Sequence, residues 1–304
     1  MGMVGVNPAT LSQKPVFSRC SVGTRSTWRR LLQQNLSRRV RGKNSPRLAY
    51  VRIKNLSDGL YRRWLELRKQ SREEYDGVDA GGYYFVTDPV SGRHVFVSHQ
   101  RRLGYYTKGV QARVENLVRE YCLSDLVLSE NDVIVDVGAH SGEIGLWAEK
   151  SKSRYLAIEP DPVAFGALTR NFPDGQLVNH AVGDKPGTLP FFLNTSTGDS
   201  SFQEGSSKKE INVKVQTLDE IVNTAFPDGK ISVLKIEAEG FEPEVLKGAS
   251  QTLARTKIVT VDAGEERNGR STAPQCLNQL FSSGFELEAV FLRRGIFRLR
   301  STTT

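Results

Sequence analysis

Three kinds of sequence feature are missing from this chain, and each absence excludes a class of protein. The 304 residues contain three cysteines, Cys20, Cys122 and Cys276, which are isolated and lack C-x-x-C spacing, so neither a zinc site nor a disulfide framework is predicted. No apolar run approaches the roughly 18 residues that cross a bilayer. The phosphate-binding patterns G-x-G-x-x-G and Gly-Lys-Ser/Thr are also missing. We therefore expect a reducing interior and a soluble or membrane-peripheral protein.

Acidic residues are absent from the first 47 residues, which contain ten Lys and Arg. Through Arg72 there are 17 basic and two acidic residues, a net charge of +15, whereas the remainder carries −7. This composition is typical of a disordered basic arm or an organellar transit peptide. Apolar residues at helical spacing over residues 26–41 could also form a basic helix that rests on anionic lipid. The expected location is cytoplasmic, with peripheral membrane contact or organelle import as alternatives.

Local sequence patterns predict how the chain is divided into segments. Residues 1–57 are predicted to be the basic arm, and residues 58–121 to hold helices and a β-hairpin formed by Tyr83–Thr87 and His94–Val97. Arg101, Arg102, Tyr105 and Tyr106 follow the hairpin. Such cationic and aromatic groups could hold a sugar or an acidic substrate, or lie in solvent. Residues 122–304 are predicted to form the α/β domain.

A strand, a glycine turn and a helix follow one another near the start of this domain. The β-branched run Val133–Val137 is typical of a strand buried on both faces of a parallel sheet. Gly138 and Gly142 then allow positive φ and a close approach of backbone N–H groups to a ligand. A second apolar run ends at Glu159, where a carboxylate can accept both hydroxyl hydrogens of a ribose. The combination predicts a nucleoside-bearing cofactor, with a plain packing unit as the alternative.

The spacing of the glycines limits which class of cofactor the loop can bind. Gly138, Gly142 and Gly145 form G-x-x-x-G-x-x-G, which matches neither phosphate-binding pattern. A D-x-G-x-x-x-G loop with an acid ending the next strand resembles the S-adenosylmethionine enzymes of the Rossmann-like class. The resemblance implies that S-adenosylmethionine is held by residues of three loops, namely Asp136, Gly138, Ala139, His140, Gly142, Glu159, Ala181 and Val182.

A segment further along the chain makes the resemblance specific. Ile231–Ala249 is similar to the pattern L-K-I-D-x-E-G-x-E-x-x-V-L-x-G-A of FkbM-type methyltransferases. The similarity spans about residues 103–266 and includes Val215–Glu220 and Ala181–Asp184. It implies a methyltransferase domain in residues 122–304 with a Rossmann-like α/β fold. That fold has a seven-stranded, mostly parallel sheet, helices on both faces and an antiparallel last strand.

Two positions depart from the family pattern. Glu237 stands where the family usually has Asp, and His140–Ser141 where it more often has Asn-Ile. Both changes keep hydrogen-bonding groups, but the additional methylene of Glu237 moves its carboxylate and affects the catalytic geometry. The departures leave a catalytically silent cofactor-binding or membrane-peripheral adaptor as an alternative function.

Alternation along the strand Ile231–Ile236 places Lys235, Glu237 and Glu239 on one side. Because ligands of open α/β sheets bind outside the carboxyl ends of the strands, these groups should face the cofactor together with other acids. Glu237 first, and Glu239 second, are the candidate bases or acceptor-orienting groups. Lys235 would stabilise the charge of the catalytic carboxylate or hold the oxygen of the methyl acceptor in place.

Each of these residues also has a structural interpretation. Glu239 could cap the following helix, Lys235 could simply pair with an acid, and Asp262 could be a turn residue. No metal site is predicted from the motif itself. A divalent cation held by Glu237, Asp262 and Glu265 is the alternative, since oxygen ligands suit magnesium.

FkbM-like enzymes are associated with O-methylation of polyketides and sugars. The resemblance therefore implies an O-methyltransferase whose acceptor is a hydroxyl of a glycan, sugar or small secondary metabolite. The basic arm favours an RNA methyltransferase as the alternative, because such an arm attracts phosphate. Enzymes that methylate exocyclic base amines typically carry Asn/Asp-Pro-Pro-Tyr after the fourth strand, and Glu237–Gly240 stands there instead. Nucleic acid is therefore the less favoured partner.

Overall fold

The computed structural model describes residues 76–193, 200–202 and 209–303. The predicted basic arm, the amphipathic helix over residues 26–41 and the helix after Asp58 lie outside this part of the chain. So does most of the segment between Asn194 and Lys209. Within the described residues, no helix has both the length and the apolar character needed to cross a membrane.

The described chain begins with a small antiparallel sheet, followed by helical segments. The sheet contains β1 (Asp76–Val78), β2 (Tyr84–Thr87) and β3 (His94–Val97) in that order. Asp88 stabilises the turn between β2 and β3 by accepting the N–H of Ser91 at 3.1 Å. A 3₁₀ helix (Gln100–Tyr106) and helix α1 (Val110–Glu120) follow. The predicted hairpin is confirmed, whereas β1 was not predicted.

The rest of the described chain alternates strands and helices, as the α/β interpretation predicts. Its elements are β4 (Val133–Val137), α2 (Glu143–Glu149), β5 (Arg154–Ile158), α3 (Pro162–Asn171), β6 (Gln176–Val178), β7 (Ala181–Val182), β8 (Gly187–Leu193), β9 (Lys209–Gln216), α4 (Leu218–Ala225), β10 (Ile231–Ile236), α5 (Glu242–Lys247), α6 (Ser250–Ala254), β11 (Thr256–Asp262), α7 (Ala273–Ser282), β12 (Phe285–Phe291) and β13 (Ile296–Ser301).

Seven of these strands form the central sheet, in the order β12-β13-β11-β10-β4-β5-β6. All neighbouring pairs from β11 to β6 are parallel, whereas β13 is antiparallel to both β11 and β12. The predicted seven-stranded, mostly parallel sheet with an antiparallel last strand is confirmed. Strands β7, β9 and β8 form a separate three-stranded sheet, which the sequence did not predict.

The two faces of the central sheet carry separate hydrophobic cores. Because side chains alternate along a strand, Val133 and Val135 belong to one core and Ile134 to the other. Residues of α4, α5, α6 and α7 complete the first core. Residues of α1, α2, α3 and the β2–β3 hairpin complete the second. The architecture is therefore three layers, with helices on both faces of the sheet.

The antiparallel direction of β13 determines which turn reaches the ligand-binding edge. Asp262, at the end of β11, pairs with Ile296, at the start of β13. The turn between β12 and β13 therefore lies beside the carboxyl ends of the parallel strands. This turn contains Arg293 and Arg294.

Candidate active site

A cavity of about 820 Å³ opens at the carboxyl edge of the central sheet. Its size is within the range of pockets that hold small ligands and cofactors. The three predicted catalytic residues, Lys235, Glu237 and Glu239, all line it. Seven of the eight predicted cofactor residues also line it, namely Asp136, Gly138, Ala139, His140, Glu159, Ala181 and Val182.

The loop after β4 lies against the end of β10. Gly138 has a φ of +72°, and a Cβ atom there would lie 1.8 Å from the carbonyl oxygen of Glu237. Only glycine fits this position, because it has no Cβ and tolerates positive φ. The N–H of Gly138 donates to Ile158 at 2.9 Å, and the N–H of Glu237 donates to Val137 at 3.1 Å. These bonds fix the loop between β5 and β10.

Glu159 is buried at the end of β5, where the sequence predicts a ribose-binding acid. Its carboxylate accepts the backbone N–H groups of His140 and Asp161, both at 2.8 Å. Burial, and then the charge of Asp161, raise the pKa of Glu159 to about 7. A carboxylate has about four acceptor sites, so two remain for the hydroxyls of a ribose.

Gly142 is the predicted cofactor residue that does not line the cavity. It has a φ of +83° and directly precedes α2. A Cβ atom there would lie 2.4 Å from the ring of Phe172 and 2.7 Å from the side chain of Leu168. The missing side chain therefore allows close packing against α3 and does not serve direct contact with a ligand.

Lys235 is buried beneath the loop after β4, residues 138–142, which is the predicted cofactor loop, and holds this loop in place. Its Nζ atom lies 2.9 Å from Asp136 Oδ1, 2.7 Å from the Gly138 carbonyl oxygen and 3.3 Å from Glu237 Oε2. Burial alone would lower the pKa of Lys235, but the charges of Asp136 and Glu237 and the hydrogen bonds to both together outweigh burial, and the pKa is raised. An ammonium group has three N–H donors, and these acceptors match all three. Lys235 is therefore placed to hold carboxylates and backbone, and not the acceptor oxygen.

Glu237 is surrounded by three donors at the base of the cavity. The Tyr121 hydroxyl donates to Oε2 at 2.5 Å, Arg294 donates to Oε1, and Lys235 lies 3.3 Å from Oε2. Burial would raise the pKa of Glu237, but the charges of Lys235 and Arg294 outweigh it and hold the pKa far below its usual range. Glu237 is therefore ionised at neutral pH. Three of its roughly four acceptor sites are occupied, and 25% of the side chain is exposed.

Arg294 connects Glu237 to a second acid. Its guanidinium donates to both Glu237 and Asp262, the latter at 2.5 Å, and lies 3.2 Å from Glu120 Oε2. Asp262 lies behind the cavity wall, and burial together with the charge of Glu237 raises its pKa to about 6. A guanidinium therefore lies between Glu237 and Asp262, two of the three acids that the alternative assigned to a divalent cation with Glu265. In the described part of the chain, no three His, Cys, Asp or Glu side chains are grouped to hold a metal ion.

Glu239 lies in a tight turn after β10, with a φ of +50°. The turn is held by Glu242, which accepts the N–H groups of Ala238 and Gly240 at 3.0 and 2.9 Å. Helix α5 begins at Glu242, with Phe241 at its N-cap position. Glu239 is therefore not the helix cap, and its side chain lines the cavity.

Besides Lys235, six cationic side chains line the cavity. One of them, Arg113, lies 3.4 Å from Glu143, which also accepts the Tyr106 hydroxyl at 3.0 Å. Burial would raise the pKa of Glu143, but the interactions with Arg113, His140 and Arg102 together outweigh burial and lower the pKa to about 2. The six cations belong to the 3₁₀ helix, α1 and their connection, or to the β12–β13 turn: Arg102, Lys108, Arg113, Arg119, Arg293 and Arg294.

Among the residues of the site that were not predicted from the sequence are Tyr121, Arg294 and Glu266. Tyr121 is separated from Glu237 by 116 residues, so no local pattern relates them. Arg294 could have been found, because the start of an antiparallel last strand must lie at the ligand-binding edge. Glu266 lines the cavity, and burial followed by the charge of Glu239 raises its pKa to about 9. No pattern in the sequence marks Glu266.

The part of the chain that contains most of this cavity matches a known protein family. The FkbM methyltransferase domain matches residues 136–287, half of the chain. The chain belongs to the FkbM methyltransferase family. The predicted resemblance is confirmed, and the protein is a methyltransferase that uses S-adenosylmethionine.

Curated relatives of this FkbM methyltransferase come from a fungus, an archaeon and a bacterium. Methyltransferase sdnD of Sordaria araneosa is 26% identical over 61% of this chain and 87% of its own length. Hexuronic acid methyltransferase AglP of Haloferax volcanii is 30% identical over 49% of this chain and 64% of its own. The 2-O-methyltransferase NoeI of Sinorhizobium fredii is 23% identical over 68% of this chain and 95% of its own.

The groups in the cavity of the FkbM domain fit S-adenosylmethionine. Glu159 has acceptor sites for the ribose, and Ile158, Val182 and Phe202 give an apolar lining suited to the adenine ring. Ser200 and Phe202 both line the cavity, and the Ser200 hydroxyl donates to Asp161 at 2.6 Å. The buried acids near the loop also suit a cofactor that carries a positive sulfonium.

Proposed function

We propose that this methyltransferase transfers a methyl group to a hydroxyl of a sugar or glycan. The observation that carries the proposal is Glu237, an ionised carboxylate fixed beside the cofactor loop and partly exposed to the cavity. Such a group can accept a hydrogen bond from one hydroxyl in a defined position. A relative named for methylation of a hexuronic acid supports the choice of a carbohydrate, and one named for 2-O-methylation supports a hydroxyl as the acceptor.

When bound, S-adenosylmethionine supplies an electrophilic methyl group on its sulfonium. The protein therefore needs chiefly to place the hydroxyl in line and to accept its proton. The remaining acceptor site of Glu237 is suited to this role. As the new C–O bond forms, the hydroxyl oxygen gains positive charge and its proton becomes strongly acidic. A carboxylate of low pKa, such as Glu237, can accept that proton.

The neighbours of Glu237 have positioning roles in this mechanism. Tyr121 and Arg294 each donate to one carboxylate oxygen and so fix its plane. Lys235 joins Glu237 to Asp136 and to the backbone of the cofactor loop. The position of the base is thereby linked to the position of the methyl donor. In-line transfer requires such a link.

Labelled-methyl transfer to fractionated cell extracts tests the proposal. We expect label in the glycan or sugar fraction, and not in lipid or RNA. Glu237→Gln should lower kcat by about 10² to 10⁴, the usual contribution of a general base. The affinity for S-adenosylhomocysteine, measured by calorimetry, should stay unchanged.

Glu130→Gln is a matched control, because Glu130 is exposed and lies away from the cavity. It should behave as the wild type in both measurements. Unchanged turnover of Glu237→Gln with normal cofactor affinity would remove Glu237 from the mechanism. Label confined to RNA would overturn the choice of acceptor.

A further inference from the structure

We infer that the acceptor carries an anionic group, a carboxylate or a phosphate, which Arg119 and Arg293 bind beside the reacting hydroxyl. The inference rests on the proposed function and names the class of acceptor, an acidic sugar. It is carried by the charges that line the cavity and by the contacts that place them.

Three cations of the cavity wall lie exposed, namely Lys108, Arg119 and Arg293. None of them has a carboxylate partner among residues 76–193, 200–202 and 209–303. Arg119 is held by a neutral group, since its Nη2 atom donates to Asn116 Oδ1 at 2.7 Å. By contrast, Arg294, Lys235 and Arg113 are each paired with buried or half-buried acids. The three exposed cations are therefore available to an anion that enters the cavity.

Contacts of Arg294 place two of these cations near the reacting carboxylate. Arg294 pairs with Glu237 and also with Glu120 Oε2, at 3.2 Å. Arg119 directly precedes Glu120 in the sequence, and Arg293 directly precedes Arg294. Both arginines therefore lie next to the contact that joins α1 to the base. Lys108 precedes α1, whose 11 residues span about 16 Å at 1.5 Å per residue, so it would meet a more distant part of the acceptor.

Four of the acids that line the cavity do not offset the charge of the exposed cations. Glu120 and Glu237 are paired with Arg294, and Glu143 with Arg113. Burial raises the pKa of Glu266 to about 9, so it is largely neutral at pH 7. Arginine also presents a planar fork of donors that matches a carboxylate or a phosphate with two parallel hydrogen bonds. The chemistry of this wall thus suits a compact anion.

The charge of the surrounding domain favours an acidic sugar over RNA. After Arg72, the chain has 25 basic and 32 acidic residues. RNA binding depends on basic surfaces that follow the phosphate backbone. The exposed cations of the cavity belong to a part of the chain whose net charge is negative. This negative charge would repel an extended polyanion such as RNA. A single carboxylate or phosphate avoids this repulsion.

Matched sugars test the inference by calorimetry with S-adenosylhomocysteine saturating the cofactor site. The probes are methyl glucoside, methyl glucuronide and methyl glucoside 6-phosphate, which differ only at C6. We expect at least one anionic probe to bind tenfold or more tightly than the neutral one. Arg119→Gln/Arg293→Gln should abolish that difference without changing the affinity for S-adenosylhomocysteine. Arg101→Gln, which removes an exposed charge outside the cavity, should keep the difference.

Equal affinity for all three probes, or a difference that survives in the double variant, would overturn the inference. Labelled-methyl transfer gives a second readout, since the methylated product should be retained on an anion exchanger. Reduction of carboxylates with carbodiimide and borohydride, or phosphatase treatment, should abolish retention and identify the anion. A neutral labelled product, or one destroyed by ribonuclease, overturns the inference. No label in any fraction overturns the proposed function itself.

Discussion

Tyr121 is the residue through which α1 reaches the proposed base. Its side chain is buried, and burial followed by the charge of Glu237 raises the pKa of the phenol well above its usual value. Tyr121 therefore stays neutral and can only donate to Glu237. Its ring also lies 5.4 Å from Lys235 Nζ and 5.6 Å from the Arg294 guanidinium. One aromatic side chain thus contacts all three charged groups of the proposed catalytic centre.

Tyr121→Phe removes the hydroxyl and keeps the ring. A hydrogen bond to a charged group contributes about 1.5–3 kcal/mol, so we expect kcat to fall about ten- to a hundredfold. The KM for the acceptor and the affinity for S-adenosylhomocysteine should change little, because Tyr121 acts through Glu237. Steady-state kinetics and calorimetry measure these quantities. Tyr84→Phe, on β2, is the control, and an equal loss in both variants would contradict the positioning role.

At the scale of elements, the strand and helix pattern could be predicted, but its spatial order could not. The runs Val133–Val137 and Ile231–Ile236 are strands in the structure with the bounds that their composition predicts. Their position side by side at the centre of the sheet depends on pairing between segments about 100 residues apart. Local composition carries no information on such pairing. The β7-β9-β8 sheet was missed for the same reason.

The same distinction applies to the candidate site. Lys235, Glu237 and Glu239 were predicted because one strand and its motif carry them. Tyr121 and Arg294 reach Glu237 from the end of a helix and from a turn between antiparallel strands. Only the assembled sheet brings these elements together. The sequence therefore predicted the acidic residues of the site better than the donors, Tyr121 and Arg294, that hold Glu237 in its ionised form.

The contact between the β4 loop and the end of β10 can be tested at Gly138. An alanine Cβ would lie 1.8 Å from the Glu237 carbonyl oxygen, and the residue would keep a φ of +72°. Such strain costs about 1–3 kcal/mol before the steric clash is added, so Gly138→Ala should lower the free energy of unfolding by at least that much. Urea denaturation measures it. Gly187→Ala is the control, since a methyl group added there would have no atom within 4 Å and the φ of Gly187 is not positive.

Gly138→Ala should also reduce the affinity for S-adenosylhomocysteine, because the loop that it displaces lines the cofactor side of the cavity. Wild-type stability of this variant would mean that the loop does not pack against β10 as described. Normal stability with lost affinity would place the effect on the ligand alone. The two measurements therefore separate the packing role of Gly138 from its binding role.

At the scale of the whole molecule, the buried acids fall into two groups with opposite effects of pH on stability. Glu143 and Glu237 have lowered pKa values, so their contribution is present above about pH 4.5 and is lost as the pH falls. Asp262, Glu159 and Glu266 have pKa values raised to about 6, 7 and 9. In the unfolded chain these three ionise near pH 4, so they favour unfolding as the pH rises.

We therefore expect the free energy of unfolding to be highest near pH 5 and to fall from there to pH 9. Between pH 7 and 9 the decline depends mainly on Glu266, whose pKa is the highest of the three. Glu266→Gln cannot ionise and should flatten the curve in this interval, whereas Glu130→Gln should keep the wild-type slope. Urea denaturation at single pH units gives the curves. Equal stability of the wild type at pH 5 and pH 9 would mean that Asp262, Glu159 and Glu266 are ionised in the folded protein. The cavity would then be less positive than its exposed arginines imply.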